Sequence, residues 1–146
     1  MQVDFYHLTA TPLDRALPQI AAKVVESGAR LLIVSARDDQ RADLDRLLWT
    51  YRADSFLPHG QIGMGDDTLQ PILIAAEVNA ANAARHIALV DGEWRDDALD
   101  FDRAFHFFED AHIQPARKAW RDLNGREGVE RRYWKQNDAG RWEKAA

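Results

Sequence analysis

The chain has 146 residues, 46% of them hydrophobic and 10% aromatic, and contains no cysteine. This length suits a single domain with a real core and no staples; it excludes disulfide frameworks, cysteine zinc sites, iron–sulfur clusters and thiol catalysis. With 24 acidic against 19 basic residues the net charge is -5, which argues against strong direct nucleic-acid binding, because neutralising phosphates needs clustered cations.

The charge is uneven. Residues 112–146 hold 9 basic and 5 acidic side chains, whereas residues 1–111 hold 10 basic and 19 acidic. Met1 runs directly into Val3-Asp4-Phe5-Tyr6 without the charged and apolar regions of a secretory leader. The longest apolar runs, such as Leu31 to Val34, fall far short of the roughly 20 residues that span a bilayer. The expectation is a cytoplasmic protein with no membrane partner.

Val3 to Leu8 reads as a strand, and Thr11-Pro12 as a helix start, a capping hydroxyl followed by proline at the first helical position. Leu13, Leu17, Ile20, Ala21 and Val24 form the apolar stripe of that helix, with Pro18 expected to kink it or postpone its regular part. Gly28 closes the helix, and Arg30 to Ser35 is a continuous apolar run of the kind covered on both faces in a parallel sheet. A second helix, capped by Asp38 or Asp39, extends to about Tyr51 with Leu44, Leu47, Leu48 and Tyr51 on one stripe. Residues 55–68, with Pro58, Gly60, Gly63 and Gly65, read as a loop.

Further strands are expected at residues 72–76, 86–90 and 103–109, the last with an Ala and Phe content that also suits a helix, then a helix over about 112–125 and a strand over 129–136. The turn at residues 137–140 can fold Arg141 to Lys144 back as a hairpin arm, a C-terminal extension over 129–146. Alternating strands and helices give one three-layer α/β/α domain over residues 1–146, with a mainly parallel central sheet. It resembles nucleotide-binding folds but lacks a phosphate loop: Thr9-Ala10-Thr11-Pro12 has no glycine, and Gly60 to Gly65 has no Walker lysine.

His106, Glu109, Asp110 and His112 lie within seven residues and imitate a metal or acid–base site, against the simpler reading of a core histidine beside capping acids. No cofactor is expected. On the C-terminal helix, Ala116, Ala119 and Leu123 share the arc that should face the sheet. Arg117, Arg121 and Asn124 share another, with Trp120 on the border. Two guanidinium groups flanking an indole suit a carboxylate-bearing peptide, and equally a solvated basic face. Trp49 falls off the leucine stripe of its helix and needs a partner within the chain or outside it. Phe56 either plugs the core or joins an exposed apolar patch.

In chain order, Phe5-Tyr6, Gly28 before Arg30-Leu31-Leu32-Ile33, Leu48-Trp49, Ser55-Phe56-Leu57-Pro58-His59, and Ala116-Arg117 with Trp120 ahead of Gly128 form an ordered set. It resembles, over nearly the whole chain, the chi subunit family of bacterial DNA polymerase III, part of the clamp-loader assembly. The resemblance implies a nucleotide-binding-like fold without a nucleotide site and a non-catalytic adaptor in DNA replication. That adaptor binds the acidic C-terminal tail of single-stranded DNA-binding protein and, elsewhere, the psi subunit.

By the same resemblance the tail site falls on Arg117, Trp120 and Arg121, with Trp49 beside them, and Phe56 and Leu57 mark the psi-facing surface. Asn124 stands where well-known members carry another basic residue, with Arg126 as a substitute. Here the chain runs on through Tyr133-Trp134 to Arg141-Trp142 beyond the usual end. The rival reading is a small α/β hydrolase or nucleotide-binding enzyme using residues 60–67 and His106, Asp110 and His112.

Overall fold

The computed structural model describes residues 1–51 and 57–146. Among the described residues, eight strands form one sheet: β1 (Gln2–His7), β2 (Leu31–Val34), β3 (His59–Gln61), β4 (Ile72–Ala75), β5 (His86–Leu89), β6 (Arg103–Phe108), β7 (Glu130–Gln136) and β8 (Trp142–Lys144). Their order across the sheet is β3-β4-β2-β5-β6-β1-β7-β8. Every pairing is parallel except the β7/β8 hairpin. Helices α1 (Leu13–Glu26) and α2 (Asp38–Thr50) pack on one face, and α3 (Ile113–Asp122) on the other. This is the expected three-layer α/β/α architecture.

Strand alternation sorts the core. Val3, Phe5, Leu32, Val34 and Ala104 face α3, whereas Tyr6, Leu31, Ile33, Phe105 and Phe107 face α1 and α2. β2 and β4 are buried throughout, as a strand covered on both faces requires. Gly28, at φ +83°, ends α1: its amide bonds Val25 O and the Ala29 amide bonds Val24 O, the paired hydrogen bonds of a Schellman stop.

Several local expectations change. The residue before α1 is Pro12, not Thr11, and no side chain caps the helix locally. Gln136 of β7 instead fastens the turn that precedes the helix. Its Oε1 accepts the amides of Thr9, Ala10 and Thr11 at 3.2, 2.9 and 2.9 Å, while its Nε2 donates to the Thr11 hydroxyl at 2.6 Å. Pro18 sits buried inside an unbroken α1, so the regular helix is not postponed. The hydrogen bond it cannot make belongs to the carbonyl of Asp14, an exposed residue that water reaches.

α2 starts after Arg37, which places Asp38 and Asp39 in its first turn, paired with Arg41 and Arg37 and favourably placed against the helix dipole. Part of the expected loop is strand β3, which joins the sheet edge because its backbone pairs with β4 despite a Gly-containing, polar sequence.

One fully buried carboxylate fastens the centre of the sheet. Asp4 on β1 accepts Arg103 Nε from β6 at 2.9 Å, Trp134 Nε1 from β7 at 3.0 Å and Gln2 Nε2 at 3.0 Å. Asp4→Ala strips the pairing partner from a partly buried guanidinium and a partly buried indole. We expect a loss of about 2–4 kcal/mol in urea unfolding, reduced from the full buried-pair value because Arg103 retains some water.

Candidate functional site

The surface built by α3 and β7 brings together the basic and aromatic residues singled out in the sequence. Ala116, Ala119 and Leu123 are buried against the sheet, and Arg117, Arg121 and Asn124 are exposed, as the helical spacing predicts. Trp120 is half-buried between them. It meets Phe5 and Tyr133 edge-to-face at ring separations of 5.4 and 5.5 Å. The sheet therefore fixes the indole plane rather than leaving the ring to rotate.

Residues of β7 complete this surface. The Arg131 guanidinium lies 3.9 Å from the centre of the Trp120 ring, donates to Trp120 O at 2.5 Å and to Asn124 Oδ1 at 2.8 Å. A cation held on the indole and tied to the helix C-terminus is stabilised by both the ring quadrupole and the terminal carbonyls. Lys135 lies over the Tyr133 ring at 5.9 Å. Burial raises the Tyr133 phenol above its ordinary pKa, with Arg117 opposing, so the ring stays neutral among these cations.

Among the described residues, Arg117 and Arg121 have no hydrogen-bond or ion-pair partner, so their charge is available to an outside anion. Arg126 only approaches Asp96, at 3.8 Å. Arg131, Tyr133 and Lys135 were missed as site residues in the helical reading. Their signal was the two-residue period of β7, which puts all three on the α3 face, and it becomes usable only once β7 is known to lie beside β1.

Two sequence expectations are corrected. Trp49 does not lie beside Arg117 and Trp120: it projects from α2, on the opposite face of the sheet, and packs on His59 of β3 at 5.0 Å, near the far edge. It is 55% exposed, in agreement with its position off the leucine stripe. Leu57 is not a surface residue but is buried with α2 in the core. Phe56 lies outside the described residues.

Among the described residues, the groups named for an enzyme reading have other surroundings. His106 is fully buried, meets Phe5 and Trp94 edge-to-face, and has no hydrogen-bond partner on either ring nitrogen. Asp110 pairs instead with His7, 2.6 Å away, and among the described residues no group of three His, Asp or Glu side chains is arranged to hold a metal. In the glycine-rich segment, the Gly63 amide is already occupied by the Asp67 carboxylate at 3.0 Å.

At the carboxyl ends of the strands, where such folds place nucleotides, the cavity is only about 70 Å³ and is lined by Asp91 and Glu109. Burial works to raise the Asp91 carboxyl, but hydrogen bonds from Arg95 and from the Ala36 and Glu93 amides hold it below its ordinary range. The Asp91 carboxylate at this end is therefore already committed to Arg95 and to backbone amides. Gly92, at φ +82°, lets His112 close over this end, since a Cβ there would meet the imidazole at 2.4 Å.

The described residues thus form a parallel α/β domain with a cationic and aromatic face on α3 and β7. A family model described as the DNA polymerase III chi subunit, HolC, matches residues 1–130. The DNA polymerase III subunit chi of Escherichia coli (strain K12) is 30% identical over 112 residues, 75% of this chain and 76% of that protein. The probable DNA polymerase III subunit chi of Rickettsia prowazekii (strain Madrid E) is 27% identical over 89 residues, 61% of this chain and 54% of that protein. This chain belongs to the DNA polymerase III chi subunit family, and its role lies in DNA replication as a subunit of that complex. Most of β7 and all of β8 lie past the matched span. Among the described residues no helix is long and apolar enough to cross a membrane.

The buried imidazole has a measurable consequence. Burial pushes the His106 pKa down to about 3, with Asp91 opposing and Arg95 and His112 adding to the depression. An unfolded histidine titrates near about 6.5, so below that pH the unfolded chain binds a proton that the folded chain refuses. Folding stability should fall as pH drops from about 6.5, by up to about 1.4 kcal/mol per pH unit, and His106→Phe should flatten that slope in urea titrations.

Proposed function

We propose that this chain is a non-catalytic adaptor whose α3 and β7 face binds the acidic C-terminal tail of single-stranded DNA-binding protein, coupling it to the clamp loader. The observation that carries this reading is the pair of unpartnered guanidinium groups, Arg117 and Arg121, flanking the braced Trp120. Arginine forks match carboxylates two oxygens at a time, and a fixed indole supplies an apolar wall whose ordering cost folding has already met. Arg131 and Lys135 widen the cationic field and Asn124 adds an amide, so acidic residues of the tail have several places to settle. Charge sets orientation and association rate, and the contact with Trp120 sets residence time.

A psi-like partner, where one is present, is better assigned to the β3 end of the sheet. Leu57 is buried there, but Trp49, Met64 and Leu69 are 55%, 80% and 66% exposed, and Trp49 and Met64 line one shallow cavity with His59. Large apolar side chains gathered at one end of a domain suit a protein contact.

Titration of the full chain with a peptide of the acidic tail, followed by Trp fluorescence, tests the reading. Arg117→Glu and Arg121→Glu alter exposed side chains and should leave the fold intact; each should weaken binding by about tenfold or more. Affinity should also fall steadily as salt is raised. Unchanged affinity in both variants would overturn the assignment.

A further inference from the structure

On the face opposite α3, a cleft opens between α1 and the β7/β8 hairpin. Its narrow part, about 190 Å³, is walled by Tyr6, Phe107, Trp134, Trp142 and Ile20, with Lys23 at its rim. The aromatic walls are a cross-strand row: Tyr6 stacks with Phe107 at 5.1 Å and with Trp134 at 6.2 Å, and Trp142 of β8 stands edge-on to Tyr6 at 5.2 Å. Tyr6, Ile20 and Lys23 also border a wider part of about 440 Å³, which reaches His86 and Arg103.

The charge of this cleft is opposite to that of the molecule. Its ionisable side chains besides Tyr6 are Lys23, His86 and Arg103, with no carboxylate among the described lining residues. The other described cavities are lined by Asp91 and Glu109, by Asp97 and Asp100, or by Asp45 and Asp67. The carboxylate that pairs with Arg103, Asp4, is fully buried beneath the cleft, while Arg103 itself is 38% exposed at its side chain. Lys23 is exposed and, among the described residues, unpaired. Burial raises the Tyr6 phenol to about 12, with Asp4 adding to the rise, so the hydroxyl brings no negative charge.

We propose that this cleft binds a second acidic peptide segment, one that carries an aromatic or large apolar side chain for the narrow chamber and carboxylates for Lys23 and Arg103. An aromatic chamber next to cations selects a ligand that is apolar at one point and anionic beside it, the apolar anchor supplying residence and the cations orientation. A nucleic-acid strand fits less well, since its phosphate chain would meet a molecule of net charge -5 with few cations to track it. The proposal is independent of the α3 reading, because the sheet separates the two faces, and both segments have room to bind at once.

The test is a titration of the full chain with acetyl-Glu-Glu-Phe-Glu-Glu-amide, monitored by the indole N–H resonances of Trp134 and Trp142. We expect saturable shifts of both resonances in the wild type, retained in Arg117→Glu. Lys23→Glu, an exposed substitution on α1, should weaken the interaction by roughly fivefold. Absence of saturable shifts at these two indoles overturns the proposal, as do shifts that vanish in Arg117→Glu or an affinity indifferent to Lys23→Glu. A tighter response to an oligothymidylate of equal charge would assign the cleft to single-stranded nucleic acid and overturn it as well.

Discussion

The buried carboxylate of Asp4 is the constraint on which the working half of this domain depends. Burying an ionised group is tolerated only when its oxygens are satisfied by charged or polar donors. Here those donors come from both neighbouring strands, Arg103 of β6 and Trp134 of β7. The need to satisfy one charge thus fixes the position of β7, and with it the edge that carries the hairpin. Phe5, the next residue along β1, points to the other face and supports Trp120. The same short segment therefore organises both surfaces: Asp4 and Tyr6 under α1, Phe5 under α3.

A parallel α/β sheet offers its carboxyl-terminal end to ligands by default, because loops and helix starts converge there. In this chain that end is filled from within. Gln136 takes the three amides of the turn after β1, Asp91 with Arg95 occupies the end of β2 and β5, and Asp67 takes the Gly63 amide. On the outer surface, α3 and β7 present cations around an aromatic residue. Membership of the chi family places the chain in a replication complex.

The acidic total and the basic C-terminal quarter are reconciled by this geometry. Of the cations after residue 111, Arg117 and Arg121 lie on α3, and the pleat of β7 sends Arg131 and Lys135 to the same face and Arg132 to the other. Periodicity alone makes the exposed arginines and buried alanines of α3 legible, since both follow from 100° per residue. It could not show that Arg131 covers Trp120, because that contact joins elements whose adjacency depends on the strand order. Trp49 illustrates the same limit. Its angle around α2 was readable, but which face of the sheet α2 covers was not, and so its neighbour is His59 rather than the α3 arginines. The resemblance puts Leu57 on a partner-facing surface, yet it is buried in the same core cluster as Leu44 and Leu48 of α2.

By itself the sequence determined the layered α/β class, the twin-sided burial of β2, the Gly28 stop, the β7/β8 hairpin and the division of α3 into apolar and basic arcs. Each of these is set by neighbours within a few residues, through side-chain period or backbone freedom. Tertiary structure alone decided the rest. It brought Gln136 to the first turn from 125 residues away, recruited a polar Gly-containing segment as edge strand β3, buried Pro18 without breaking α1, and placed β7 so that Arg131 meets Trp120. Those outcomes depend on which strands pair, and pairing is selected by the joint burial of distant side chains, a quantity that no local window of sequence contains.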